Sequence, residues 1–377
     1  METEVDVAVV GGGIVGLGIA WEALRRGLTA VVIDPAPATG ATHAAAGMIA
    51  PASELHYREE HLLQLTLDSA ARYPEFLASL EWTGIDPEYR GTGTVVLAVD
   101  AADRQSLADL REVQKLHGLD VEQLPVREVR RSEPLIGPAP TGAFRAAGDH
   151  QVDPRKLAES LLVAVRARGQ VIGMRATALQ RSGTTVTGVM LDDGSAVRAR
   201  STVVANGLDA ATLEGLPVPL PLRPVYGDIL RLRVPTTLRP LLNATVRGLV
   251  RGHAVYVVPR EDGTVVIGAT MREDGSGAVS AGGVYQLLRD AQQLIPAVAE
   301  LELEEVLCRA RPGTPDNAPL MGCVPGNDGL IVATGFFRHG VLLTPAAAAA
   351  CIDLAEGKPL PAGHERYRPD RFQKGSV

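Results

Sequence analysis

The run Val5-Asp-Val-Ala-Val-Val10 passes directly into Gly11-Gly12-Gly13-Ile14-Val15-Gly16, and nothing else in the chain limits its fold as strongly. The first piece is short, apolar and rich in β-branched residues, as suits a strand buried on both faces of a parallel sheet. Glycines 11, 13 and 16 hold the fixed places of GxGxxG. Gly11 permits a tight turn, Gly13 leaves room for a pyrophosphate against the backbone, and Gly16 lets the next helix pack closely on the strand. A helical pattern over 17–26 stops at Gly27, a second strand follows at 30–33, and Asp34 stands 18 residues after Gly16. The helix start offers free N–H groups and a partial positive charge to phosphate, and an acid placed like Asp34 accepts hydrogen bonds from a ribose hydroxyl. Glycine is common here, with 40 in 377 residues, so the motif alone carries little weight. The order of strand, glycines, helix, strand and acid carries much more. It predicts an α/β protein with a dinucleotide site formed by Gly11, Gly13, Ile14, Val15, Gly16 and Asp34.

A chain of 377 residues is more than twice the common domain length of ~150 and suggests two domains. A net charge of −7 excludes phosphate-gripping nucleic-acid binding as the main business, and 46% hydrophobic residues exclude a disordered chain. Cys308, Cys323 and Cys351 are odd in number and lie in no CxxC or Cys/His cluster. Neither a disulfide framework nor a zinc site is expected, and a reducing cytoplasm is. The nearly uncharged stretch 5–23 follows acidic residues and is broken by five glycines, which makes a poor signal peptide. No membrane span or membrane partner is expected, because no stretch reaches the ~20 strongly apolar residues a span needs. Basic residues are 33 arginines against four lysines, so a single arginine is a weak clue.

After Asp34 the chain does not continue with regular strand–helix units. It runs instead through a loop of small residues and turn formers, 35–48. Its sequence GATHAAAGMIAP (40–51) resembles the segment beneath the isoalloxazine in FAD-dependent amine oxidoreductases of the D-amino-acid oxidase family, above all in the glycine-oxidising members. Further blocks resemble the same family: 133–161, VVANGLDA at 203–210, YVVPREDGTVVIGATM at 256–271, RPGTPDNAPLMG at 311–322, and ATGFFRHGVLLTPAAA at 333–348. They keep the family's order from residue 6 to about 350. The resemblance implies a Rossmann-type FAD-binding domain made of 1–84, 150–222 and 312–377, with an antiparallel-sheet substrate domain made of 85–149 and 223–311. It also implies cofactor contacts at Thr42, His43, Ala46, Gly47, Met48, Ala50, Thr177, Ala205 and Gly207, and along Arg338, His339, Gly340, Val341 and Leu342. The FAD is expected to be noncovalent: the place of the attachment cysteine in sarcosine oxidases is Arg309 here, with Cys308 one residue off. Independently of the family, Asp153-Pro154 reads as an N-cap and first turn opening a helix over 155–166.

Oxidising an amino acid at Cα requires a held carboxylate, a deprotonated amine and stabilisation of the reduced flavin. A carboxylate calls for a bidentate arginine. The resemblance puts that role on Arg311 and a supporting hydroxyl on Tyr256. It places Met271 in the pocket wall, where methionine is equally good filler, and Arg338 near the site, where it could instead pair with an acid or hold its loop. Thr344, Pro345 and Gly357 read as the cap, first position and end of a helix, and the resemblance implies that its N-terminus points at the flavin's pyrimidine edge. His339 is the nearest histidine, and no general base is assigned. The relatives' oxygen-assisting lysine has no counterpart in Thr264-Val265-Val266-Ile267.

The reaction that the resemblance implies turns glycine and O2 into iminoacetate and H2O2, then glyoxylate and ammonia, with a place in forming the thiazole of thiamine. Sarcosine, proline or a small D-amino acid as substrate, a quinone-linked dehydrogenase and a flavin scaffold without turnover are the alternatives. A homo-oligomer, dimer or tetramer, is implied by the resemblance alone.

Overall fold

The computed structural model describes residues 3–373, so the first two and last four residues of the expected FAD-binding segments lie outside it. Among the described residues, six helices have twelve or more residues: α1 (Ile14–Arg25), α2 (Leu63–Ala78), α3 (Ala101–Leu116), α4 (Pro154–Arg168), α5 (Ala281–Leu294) and α6 (Gly340–Ala355). They pack on two eight-stranded sheets.

The first sheet grows from the glycine motif. Thr3–Val10 pairs in parallel with Ala30–Ile33 on one side and Ala196–Val204 on the other, and Gln170–Ile172 and Leu330–Thr334 extend the parallel set. Leu320–Cys323 runs antiparallel at the edge, and the hairpin Ala176–Ser182 with Thr185–Leu191 joins beside Ala196–Val204. Strand residues alternate between two apolar layers. Val7, Val9, Val32 and Ile331 face α1, α4 and α6, while Ala8, Val10, Val31 and Val332 face the hairpin. Gly11 has φ +109, and a Cβ there would lie 2.6 Å from the Ala205 carbonyl oxygen, so only glycine makes this turn. The helix starts at Ile14, three residues before the expected 17.

The second sheet has the order Glu302–Gly313, Arg223–Arg233, Thr264–Gly268, His253–Pro259, Thr245–Val250, Thr94–Ala98, Gly142–Ala146, Val121–Leu124. Its neighbours are antiparallel except Thr245–Val250 with Thr94–Ala98. Helix α5 covers one face through Leu287, Ala291 and Leu294. On the other face Ile229, Val258, Val266 and Tyr256 meet Ala46 and Met48 of the loop after Asp34. This packing brings the loop between the sheets.

The helix at 155–166 forms as expected: Asp153 accepts from the Arg155 and Lys156 N–H groups at 2.8 and 3.2 Å, and Pro154 takes the first turn. The last helix differs. It starts at Gly340, so Thr344 and Pro345 lie inside it rather than at its cap. Pro345 offers no N–H to the carbonyl one turn earlier. The Tyr73 hydroxyl donates to that carbonyl, Val341 O, in its place, and Ser69 Oγ donates to Leu342 O at 2.7 Å. Donors from α2 therefore carry the helix through its proline. Gly357, at φ +78, follows its end as expected.

Candidate active site

A cavity of about 740 Å³ lies between the C-terminal ends of the parallel strands and the loop-facing side of the second sheet. At one end it is walled by Asp34, by Gly13, Ile14 and Val15 at the start of α1, and by Thr42, Ala205 and Gly207. Ala46, Gly47 and Met48 line its middle. Tyr256, Met271, Arg311 and the segment Arg338, His339, Gly340 and Val341 close the other end.

Six expected positions are not part of this wall. Gly11 and Gly16 shape the turn beneath it. His43 places Nε2 3.5 Å from Glu305, and burial together with Arg155 lowers its pKa. Ala50 is fully buried, Leu342 packs into the helical core, and Thr177 Oγ1 donates to Met190 O across the hairpin at 3.3 Å. Arg175, two residues earlier on that chain segment, does line the cavity.

The wall fits a dinucleotide. Asp34 takes the Gly12 N–H at 2.6 Å and the Ala36 N–H at 2.8 Å, which fixes its carboxylate at the cavity edge with lone pairs to spare. Thr42 Oγ1 accepts from the Ile14 N–H at 2.9 Å and ties the small-residue loop to α1. Asn206 Oδ1 is buried in the wall and has no hydrogen-bond partner among the described residues, an orphan acceptor for a bound donor. Helices α1 and α6 both begin in this wall, giving two positive dipole ends for an anionic group. Arg260 holds the middle from behind, donating to Ala46 O and, at 2.8 Å, to Val152 O.

Two bulky side chains at the far end lie across glycines of the neighbouring strand. A Cβ at Gly227 would collide with the Arg311 guanidinium, and one at Gly268 would collide with the Tyr256 ring and hydroxyl. Arg311 donates to Thr270 O at 3.3 Å, and no carboxylate pairs with it among the described residues. Burial lowers its pKa, while the neighbouring Tyr256 acts the other way. Burial raises the pKa of the Tyr256 phenol, so it is a donor at neutral pH. Met271 stands at the mouth, 65% exposed.

Arg338 is held by acids: it pairs with Glu59, and its Nε lies 3.3 Å from Glu54 Oε2. Glu54 also pairs with Arg247, a buried wall residue directly across from Tyr256 in the strand ladder. Burial, and after it the nearby Arg338, push Arg247 down to about 10. Sequence reasoning missed Glu54, Glu59 and Arg247. An arginine in an alternating strand carries no mark of which face it takes, and among 33 arginines Arg247 had no motif to single it out. His339 is fully buried beside Arg338, and burial keeps it neutral.

Among the described residues no helix is long and apolar enough to cross a membrane. The family model for FAD-dependent oxidoreductases (DAO) matches residues 6–354. The bifunctional protein ThiO/ThiG of Synechocystis is 35% identical over 379 residues, covering 99% of this chain and 55% of that protein. This chain thus spans about half the length of that relative. Glycine oxidase of Geobacillus kaustophilus is 33% identical over 358 residues, covering 94% and 93% of the two chains. The crystal structure of glycine oxidase from the same organism superposes with a TM-score of 0.90 at 31% identity, covering 99% of this chain and all of that one. The chain belongs to the DAO family of FAD-dependent oxidoreductases.

Proposed function

We propose that this protein oxidises glycine with O2, giving iminoacetate and H2O2, and that water then converts the imine to glyoxylate and ammonia. The observation that carries the reading is Arg311: a buried guanidinium in the wall of a dinucleotide-fitting cavity, beside the Tyr256 hydroxyl and, among the described residues, without an acid of its own. Its fork takes both oxygens of a substrate carboxylate, and the Tyr256 hydroxyl donates to one of them. This grip leaves the substrate's Cα and amine toward Met48 and the middle of the cavity. FAD, when bound, supplies the hydride acceptor and passes the electron pair to O2. The start of α6 places its positive pole in the same wall, where it favours negative charge.

The cofactor is held without a covalent bond. Arg309 occupies the expected attachment place, and Cys308 turns its sulfur to Arg272, 3.3 Å away and outside the wall. Residues 1–84, 150–222 and 312–377 serve as the FAD-binding domain, and 85–149 with 223–311 as the substrate domain. The strand membership of the two sheets supports that division. Relatives named glycine oxidase and ThiO/ThiG support glycine as substrate and a role in making the thiazole of thiamine. A cytoplasmic location fits three free cysteines, and a homo-oligomer rests on the family resemblance.

A second reading has its own support. Beyond Tyr256 the cavity continues between Leu107, Val121 and Phe144, apolar room that a larger amino acid such as a D-amino acid, proline or sarcosine would use. Turnover in air with glycine, sarcosine, D-alanine and D-proline separates the two. Equal amounts of peroxide and glyoxylate from glycine at the highest kcat/KM are expected. Higher kcat/KM for a larger substrate would transfer the assignment, and dye reduction without peroxide would make the enzyme a dehydrogenase.

A further inference from the structure

The far wall of the cavity holds the guanidinium groups of Arg247, Arg311 and Arg338 and the carboxylate of Glu54, with Glu59 reaching Arg338 from outside the wall, and their pairing is uneven. Arg338 is occupied by Glu59, which Asn317 Nδ2 steadies at 2.7 Å. Glu54 bridges Arg247 and Arg338, with Oε1 on Arg247 and Oε2 3.3 Å from Arg338 Nε. Of these three, Arg311 has no carboxylate partner among the described residues. A site with that balance accepts one substrate carboxylate. A second carboxylate would find Arg247 already neutralised and would face the Glu54 oxygens at close range, in a buried setting where like charges repel strongly.

We propose that Glu54 is a specificity-determining residue that fills, from within the protein, a second carboxylate place on Arg247 and so restricts the cavity to amines bearing a single carboxylate. This rests on the reading of Arg311 as the carboxylate clamp. The arrangement has a physical logic in both states. A buried arginine without an acid is costly, so Arg247 needs Glu54 when the second carboxylate is absent. Because Arg247 sits directly across from Tyr256, an acid bound to it would lie within the same small space as one bound to Arg311. Glu54→Gln keeps the shape of the side chain and an oxygen for Arg247 while removing the charge, which leaves two guanidinium charges for a diacid.

The test uses the FAD-loaded enzyme and two ethers that have no amine to oxidise, methoxyacetate and diglycolate. They differ by one carboxylate, and their binding is followed by calorimetry and by the change in flavin absorbance. The wild-type protein is expected to bind methoxyacetate about tenfold or more tightly than diglycolate. E54Q is expected to gain about tenfold or more for diglycolate with little change for methoxyacetate, and E54Q/R247Q to lose that gain. Equal binding of the two ethers by the wild type overturns the proposal even if E54Q does not fold. So does an E54Q protein without the gain, or a gain that survives loss of Arg247. If neither ether binds the wild type, or if Arg311→Ala leaves both affinities unchanged, the Arg311 reading is what fails.

Discussion

Arg311 and Arg247 share one cavity wall and differ in having a carboxylate partner. On the proposed reading, that difference leaves Arg311 as the one of the two that grips a substrate carboxylate. Arg311→Ala is expected to raise KM for glycine roughly ten- to a hundredfold, the worth of a charge-assisted bidentate contact. Arg311→Lys should recover only part of it, since a point charge lacks the planar fork. Steady-state kinetics with glycine checks both, and an unchanged KM removes Arg311 from the site. The place of Arg311 in the cavity wall was legible in the sequence because it opens the Arg-Pro-Gly-Thr-Pro-Asp block. Glu54, Glu59 and Arg247 were not, because their meaning lies in pairing between segments far apart in the chain, Glu54 with Arg247 and Glu59 with Arg338, which no local pattern records. Arg338 stood between these cases: its position was readable, and only the acids of 54–59 show that its charge is already taken.

At the scale of single elements, α6 shows where local signals mislead. Thr-Pro reads as a helix start because that pair commonly caps one, yet the helix begins a turn earlier at Gly340. The missing proline bond is made good by Tyr73 and Ser69 of α2, a tertiary fact that propensity cannot contain. Tyr73→Phe would leave Val341 O buried without its donor and should cost about 1–3 kcal/mol of stability. Denaturant unfolding of the FAD-loaded protein measures this, with looser retention of FAD as the companion effect because α6 begins in the cavity wall. A change within error would show that the helix does not depend on Tyr73. Helices whose caps are local were read correctly, as at Asp153-Pro154. The glycine-rich strand–turn–helix was also legible, since Gly11's backbone geometry is written into one residue type.

Across the whole molecule, the site exists because the loop after Asp34 is pressed between two sheets. Ordered family blocks along the chain made both sheets foreseeable, but the details of the clasp were not. One part is Arg260 on Ala46 and Val152. Another is Asp149, fully buried, which accepts from the Ala52 and Ser53 N–H groups at 3.1 Å and so pins the segment leading to Glu54. Burial raises the Asp149 pKa from 3.8 to about 6 against the lowering effect of these bonds. A carboxyl whose folded pKa is raised stabilises the fold fully below its unfolded value and loses that stability as pH rises through the folded one. Asp149 should therefore cost on the order of 3 kcal/mol on going from pH ~4 to above pH ~6. The stability difference between wild type and Asp149→Asn should fall over that window and level off above it, and a flat difference would show that the carboxyl is not shifted. The central claim, that this cavity is a flavin site built to oxidise glycine, is tested most directly by anaerobic mixing of the FAD-loaded protein with glycine while the flavin absorbance is followed. Rapid bleaching, with H2O2 appearing when air is admitted and a much higher glycine requirement in Arg311→Ala, is the expected result. A flavin that stays oxidised under glycine would contradict it.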